Sequence, residues 1–471
     1  MRDNVPRLGN STTVGGIRRP MGYEFPSLGA KGGSYYIFTM LTNVKNSPKS
    51  VVSLSHAREE DVGMASALTF CLLLVAALAD SVFSTQRTLR SWVNQDCGDP
   101  CRERNVTTLY LRADGPNDTL HYLWDFIGTP SVLLAITSPS AYLNITWDDY
   151  LARRENSVVF SEKPSYSFGV IINKIIEFND VNDTALIDTA DVINTNVLHS
   201  EYFNWRLVSL LKNSEFVSLD MEGNSYHDTA KNISRYGSIK LSLRGFCTVD
   251  HSDMVPHMLH TENSTQVDII LDHIQTNQTF ARSRFAIELL VVGGGDPEAL
   301  MFVDPKKSLD DEHTPGIFEV VEVRTPPYRE QDGALDAGSY LQWRPVSYIS
   351  ASRDVTSSTE TVQYPPKQVF NYSSIKNSML YCYYGETVDL LLQKIMVSLG
   401  SKGDGFYKKT NYLTWTFMIG YGTPPEERFS SLVIMIISIG LGLPLLIMII
   451  TGLYLCIRRM PKRHGNAYLN R

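Results

Sequence analysis

From Leu432 to Ile457 the chain reads LVIMIISIGLGLPLLIMIITGLYLCI, 26 residues without a charge. An apolar helix needs about 20 residues to cross a bilayer, so everything else must fold on one side of a membrane or the other. Arg458, Arg459, Lys462 and Arg463 follow directly, and Glu426 and Glu427 stand before it. Basic flanks stay cytoplasmic. The tail, 458–471, is therefore expected in the cytosol, the span is taken as 429–457, and the residues upstream face the lumen or the outside. Gly440, Gly442 and Pro444 lie mid-span. They read either as a surface for close packing against another membrane helix or as ordinary membrane-helix composition.

A second, shorter apolar segment, MASALTFCLLLVAALAD, begins at Met64. Its 16 uncharged residues, 64–79, are too few to span a bilayer as a helix. It ends in Ala77-Leu78-Ala79, an A-x-A pattern of the kind a signal peptidase reads. We expect a signal peptide at 64–79, with residues 1–63 an irregular extension absent from the mature protein. An uncleaved signal-anchor with a cytoplasmic arm and a buried core helix are the alternatives.

Between the two segments lie residues 80–428, the expected ectodomain. The whole chain has a formal net charge of -7, but this stretch holds 45 acidic against 30 basic residues. An acidic domain of this kind suits an acidic compartment, where its carboxylates repel one another less. A sequence pI near 5.8 excludes a general nucleic-acid binder. The N-x-S/T pattern occurs in this stretch at Asn105, Asn117, Asn144, Asn182, Asn232, Asn263, Asn277 and Asn371, which predicts a lumenal domain carrying N-linked glycans. Asn10 also matches but precedes the signal. Of six cysteines, Cys71 is in the signal and Cys456 in the span, leaving Cys97, Cys101, Cys247 and Cys382. Four cysteines in an oxidising compartment predict two disulfides, with three pairings open.

Period-2 alternation dominates the ectodomain. It is clear in SIKLSLRGF (238–246), QVDIILDHI (266–274) and RFAIELLVV (284–292), with short apolar runs at 131–138 and 316–323. Such runs predict half-buried strands in antiparallel sheets. The fold class expected is mostly β, a β-sandwich-like ectodomain of one or two units plus one C-terminal membrane helix. A helix is expected near 387–399, where apolar residues are denser.

Signs of chemistry are weak. The G-x-S-x-G, H-E-x-x-H, P-loop, G-x-G-x-x-G and C-x-x-C patterns are all missing from the sequence. The tightest titratable group is His251, Asp253, His257 and His260, whose spacing fits no established zinc site and is interrupted by Pro256. Acidic pairs such as Asp148-Asp149 and Asp310-Asp311-Glu312 are adjacent in sequence, whereas glycosidase chemistry needs carboxyls facing across a cleft. No catalytic residue, metal or cofactor is expected. In the tail, Tyr468-Leu469-Asn470-Arg471 partly matches a tyrosine sorting signal, with Arg471 where a bulky apolar residue belongs. The alternative is a plain basic anchor.

Several strings carry a resemblance: TPSVLLAITSPSAYLNITW (129–147), SLDDEHTPGIFEV (308–320), YLQWRPVSYI (340–349) and YLTWTFMIGYGTPP (412–425). From about residue 97 to the end the chain resembles the glycosylated lysosomal membrane protein family. The resemblance implies a type I lysosomal membrane glycoprotein. It also implies an accessory role toward a multi-spanning lysosomal transporter of the major facilitator superfamily, protecting it from lumenal proteases and supporting its localisation. The same resemblance implies a sorting role for Tyr468, through an adaptor contact. A membrane-anchored hydrolase and a cell-surface receptor or adhesion ectodomain are the rival readings.

Overall fold

Alternation decides most of the architecture. In the stretch 238–246, Ile239, Leu241 and Leu243 are buried while Lys240, Ser242 and Arg244 are half-buried, as a strand with one face on a core requires. A computed structural model describes residues 87–187, 194–294, 298–308, 316–329, 335–336, 338–386, 390–426 and 431–459.

The principal strands pair antiparallel. β1 (Thr88–Val93), β2 (Thr108–Asp114), β3 (Thr119–Asp125), β4 (Ser131–Thr137) and β5 (Tyr166–Asn179) lie side by side in that order as a first sheet. β6 (Thr195–His199) continues along the β5 edge beyond β4. The chain then builds a second sheet through β7 (Asn204–Lys212), β8 (Phe216–Asp228), β9 (Ile233–Phe246) and β10 (Ser264–Asp272). β11 (Ser283–Gly294) returns to the other edge of β5. β12 (Phe302–Lys307), β13 (Glu319–Arg324), β14 (Ser339–Trp343) and β15 (Val346–Tyr348) extend the second sheet. β16 (Ser358–Gln368) starts against β15 and ends against β17 (Leu390–Leu399), so it carries the chain from one sheet to the other. β18 (Tyr412–Tyr421) sits between β10 and β14. The first sheet reads β1-β2-β3-β4-β5-β11-β17-β16, and the second β7-β8-β9-β10-β18-β14-β13-β12.

One core joins them. Leu111, Trp124, Leu134, Phe168, Ile287 and Val397 of the first sheet cluster with Leu219, Leu241, Ile269, Val321, Trp343 and Phe417 of the second. That interdigitation is the β-sandwich arrangement, and it draws on strands from one end of the ectodomain to the other.

Both outer faces are covered in part: in the second sheet β14 is buried at every position and β18 at all but its two ends. β3 and β4 are buried at every position, because a layer of short elements covers the first sheet. That layer holds α1 (Asp99–Arg104), α2 (Trp147–Leu151), a small hairpin of Leu143–Ile145 with Val158–Phe160, and α3 (Met379–Tyr384). Tyr110, Leu123, Leu133 and Leu290 meet Trp147, Tyr150 and Leu380 there as a second apolar cluster. Of the helix expected near 387–399, residues 387–389 lie outside the described residues and 390–399 form β17 instead. Both of its faces are buried, so its apolar residues run on without a strand period.

α4 (Ser431–Arg459) is 29 residues long with Pro444 inside. At 1.5 Å per residue it measures about 43 Å, enough to cross a hydrocarbon core of about 30 Å. Its apolar side chains are exposed along its length, as lipid-facing side chains are.

Candidate functional site

All eight sequon asparagines fall among the described residues, and none lies within the eighteen strands of the two sheets. Asn117 sits in the β2–β3 turn, which the Gly115 N–H closes by donating to the Asp118 carbonyl at 2.9 Å. Asn105 caps the C-terminus of α1 with a left-handed backbone, φ 49°. Asn182 follows β5 and Asn232 precedes β9. Asn144 is on the small hairpin, and Asn371 starts a helical turn, accepting from the Ser373 N–H at 3.0 Å. These six are exposed.

Asn263 and Asn277 are half-buried. The Asn263 side-chain oxygen accepts from Arg87 Nε at 3.0 Å. That of Asn277 accepts from the N–H and hydroxyl of Thr279, its own sequon threonine, at 3.1 and 3.0 Å.

Cys97 and Cys101 form a disulfide with Cα atoms 5.9 Å apart, tying the entry of α1 to its first turn. The second disulfide expected of Cys247 and Cys382 is corrected: both are buried thiols. Cys247 follows β9 of the second sheet and donates to the Ser214 carbonyl at 3.2 Å. Cys382 lies in α3 within the layer over the first sheet, its sulfur facing Arg153 Nη1 at 4.0 Å. The two belong to different layers, and a disulfide needs Cα atoms within about 7 Å.

The histidine group does not converge on a shared point. His257 Nδ1 bonds the Ser252 carbonyl at 2.8 Å, and His260 Nδ1 bonds the Thr248 carbonyl at 2.9 Å. His260 stacks on Phe246 with ring centroids 3.5 Å apart, and burial pushes its imidazole down to about 4. Asp253 pairs with Arg244. Among the described residues no group of three or more metal-ligating side chains occurs. Asp148 and Asp149 occupy the first turn of α2, where carboxylates favour the helix dipole. Asp310, Asp311 and Glu312 lie outside the described residues.

Concavities are shallow or small. An open depression of about 570 Å³ runs past Phe318, Thr359 and Gln363. Its two carboxylates, Glu319 and Glu360, are solvent-exposed. A smaller cavity of about 170 Å³, lined by Ile176, Tyr364 and Met396, holds Glu288. Asn173 Nδ2 donates to that carboxylate at 2.8 Å, and Lys174 and Lys394 pair with it at 3.4 Å. At the first depression the Thr359 hydroxyl donates to Asp404 Oδ2 at 2.9 Å, and both oxygens of that carboxylate are held by Arg284 at 2.8 Å.

The strongest polar constellation is structural, and the sequence reading passed over it. Arg284, 2% exposed, begins the apolar core of β11 and spends all five N–H groups. Nε donates to Asp180 Oδ2 at 2.8 Å. Nη1 donates to both oxygens of Asp404 at 2.8 Å. Nη2 donates to Asp183 Oδ1 at 2.7 Å and to the Ser401 carbonyl at 2.8 Å. A charge next to the apolar run FAIELLVV was the available signal. A similar knot joins Asp125 to Arg153, Tyr150 and Thr108 at 2.7–2.9 Å. Asp125 is fully buried, so no substrate reaches it.

The segment 64–79 and Tyr468 lie outside the described residues. A family model described as "Glycosylated lysosomal membrane protein" matches residues 107–462. Glycosylated lysosomal membrane protein A of Xenopus laevis is 28% identical over 358 residues, 74% of this chain and 85% of that protein. The Danio rerio protein of the same description is 27% identical over 362 residues, covering 75% and 84%. The Homo sapiens one is 25% identical over 353 residues, covering 74% and 83%. The family match takes in nearly all of the sandwich together with the apolar helix. This chain belongs to the glycosylated lysosomal membrane protein family, as a single-pass lysosomal membrane protein with its β-rich domain in the lumen.

Proposed function

We propose that this non-enzymatic protein is an accessory subunit of a multi-spanning lysosomal transporter of the major facilitator superfamily. It shields the transporter's lumenal loops from proteases and supports its residence in the lysosome. In this reading residues 64–79 direct the chain into the secretory route, and the eight sequons carry glycans that protect the shield itself. Tyr468 contributes to sorting through an adaptor.

The observation that carries the reading is the tether. The last strand ends at Tyr421 and the membrane helix begins at Ser431. Ten residue steps reach at most about 35 Å, so the sandwich stays at the membrane surface. A broad rigid domain held there can cover another membrane protein's lumenal face. The outer face of β7, β8 and β9 is the natural contact. Glu222, Lys240 and Ser242 are only half-buried there, and edge strand β7 exposes Leu211 opposite Ser218.

Co-purification from lysosomes in mild detergent tests the association. Recovery of the chain with no multi-spanning transporter refutes it. The face is tested by Lys240→Asn, which places an N-x-S pattern with Ser242 on the outer side of β9. An occupied glycan there is expected to abolish co-purification, whereas unchanged recovery moves the contact elsewhere.

A further inference from the structure

We propose that the N-glycan on Asn144 is a built-in part of the lumenal domain, its first N-acetylglucosamine seated on Tyr142 and Val159. The small hairpin over the first sheet supplies the geometry. Strand side chains alternate, so Tyr142, Asn144 and Thr146 point outward while Leu143 is buried beneath them. The register sets Asn144 directly opposite Val159, and opposed side chains begin about 5 Å apart. Tyr142 is held in line by its carbonyl, which accepts from the Ser161 N–H at 2.9 Å, and by its own N–H, which donates to Ser161 Oγ at 3.1 Å.

The sequon asparagine is thus flanked by two apolar side chains, Tyr142 at 62% and Val159 at 38% exposure. Single exposed apolar residues are ordinary on a protein surface. A tyrosine and a valine on either side of a glycosylation asparagine form a seat for a ring. The axial C–H face of a β-linked N-acetylglucosamine is apolar and suits the face of a tyrosine. Val181 and Phe370 are also exposed beside Asn182 and Asn371, but those asparagines lie off the strands, with no opposed side chain to complete a seat.

Beneath the sugar the hairpin is anchored. Leu143 and Val158 enter the cluster of Trp147, Tyr150 and Leu380, and Thr146 takes up the chain where α2 begins. A contact at the outer surface therefore braces the layer that closes the first sheet.

The inference rests on the lumenal glycosylation read above, so occupancy of Asn144 is measured first, by mass spectrometry of its glycopeptide. Full-length protein in detergent is then compared as wild type, Tyr142→Ala, Asn144→Gln and the double variant, with Tyr142→Phe as the ring-retaining control. An aromatic contact of ordinary strength corresponds to about 1–2 °C in a domain of this size. Tyr142→Ala on fully glycosylated protein and Asn144→Gln are each expected to lower the melting temperature by that amount. The double variant should fall no further than either, and Tyr142→Phe should match wild type. An unoccupied Asn144 overturns the proposal. An equal effect of Tyr142→Ala with and without the glycan, zero included, also overturns it. Neither outcome touches the accessory reading, which co-purification tests.

Discussion

Replacing Arg284 with methionine keeps the length of the side chain and removes its charge. Three carboxylates, Asp180, Asp183 and Asp404, would then face one another around an apolar stem, and the Ser401 carbonyl would lose its donor. Breaking a buried pair by removing one partner costs about 3–5 kcal/mol, since the charge left behind is uncompensated. The sandwich runs from β1 to β18, roughly 330 residues, and unfolding entropy near 2 cal/mol/K per residue gives about 0.7 kcal/mol per degree. The melting temperature of Arg284→Met should therefore fall by about 4–7 °C at neutral pH. Tyrosine and tryptophan fluorescence reports it directly, because Trp124, Trp343 and Trp415 are buried in the core this clasp closes.

The pH dependence sharpens the test. Burial pushes the Asp180 and Asp404 carboxyls up. It is outweighed for Asp180 by the Thr184 and Ala185 N–H groups and Arg284, and for Asp404 by Arg284 and the Ser401 and Phe406 N–H groups. Both are held below the ordinary value of 3.8. A depressed carboxylate contributes stability that is fully present above the unfolded value and is lost only as pH falls through the folded one. The clasp thus stays charged and intact in a moderately acidic lumen. In Arg284→Met the unpaired carboxylates take up protons more readily, so the variant's deficit should shrink between pH 7 and pH 4. A fall under 2 °C at pH 7, or an equal deficit at both pH values, would refute this account.

His260 works in the opposite direction. The unfolded imidazole takes a proton near 6.5 and the buried one only at about 4, so stability declines as pH drops through that window, by about 2 kcal/mol at pH 5. His260→Asn keeps an N–H donor for the Thr248 carbonyl and removes the titration. The drop in melting temperature from pH 7 to pH 5 should shrink by about 3 °C, and an unchanged drop counts against the assignment. Deleting residues 468–471 should shift the protein toward the cell surface, measured by surface biotinylation; an unchanged distribution means the tail does not sort.

How much of this was legible depended on how many faces of a strand are buried. β9 and β10 show a clean period of two, because one face meets the apolar core and the other carries polar residues, half-buried Lys240, Ser242 and Arg244 on β9 and buried Gln266 and Asp268, the latter paired with Arg353, on β10. Strand β11 was visible through Phe285, Ile287, Leu289 and Val291, yet Leu290 and Val292 are buried as well, in the layer above. β17 carried that effect further: LLLQKIMVSL is apolar on both sides and imitates a helix. Periodicity records polarity on one face, and a strand covered by apolar groups on both faces has none to record. The same limit hid the covering layer, since α1, α2 and α3 are only five or six residues each, too short to print a helical period.

The cysteines and sequons differ in how much of their requirement is local. A disulfide count assumes that an even set pairs, but pairing is a matter of distance. Only the pair four residues apart is guaranteed proximity by the chain itself. Cys247 and Cys382 were assigned to different layers by the crossing of β16, which no local pattern announces. Sequons need no partner, only a surface position, and that is local. All eight sit outside the strands of the two sheets, six of them fully exposed. Read together in the folded chain, they mark the turns, ends and covered side of the sandwich. By subtraction they leave the outer face of β7, β8 and β9, the contact proposed for a partner.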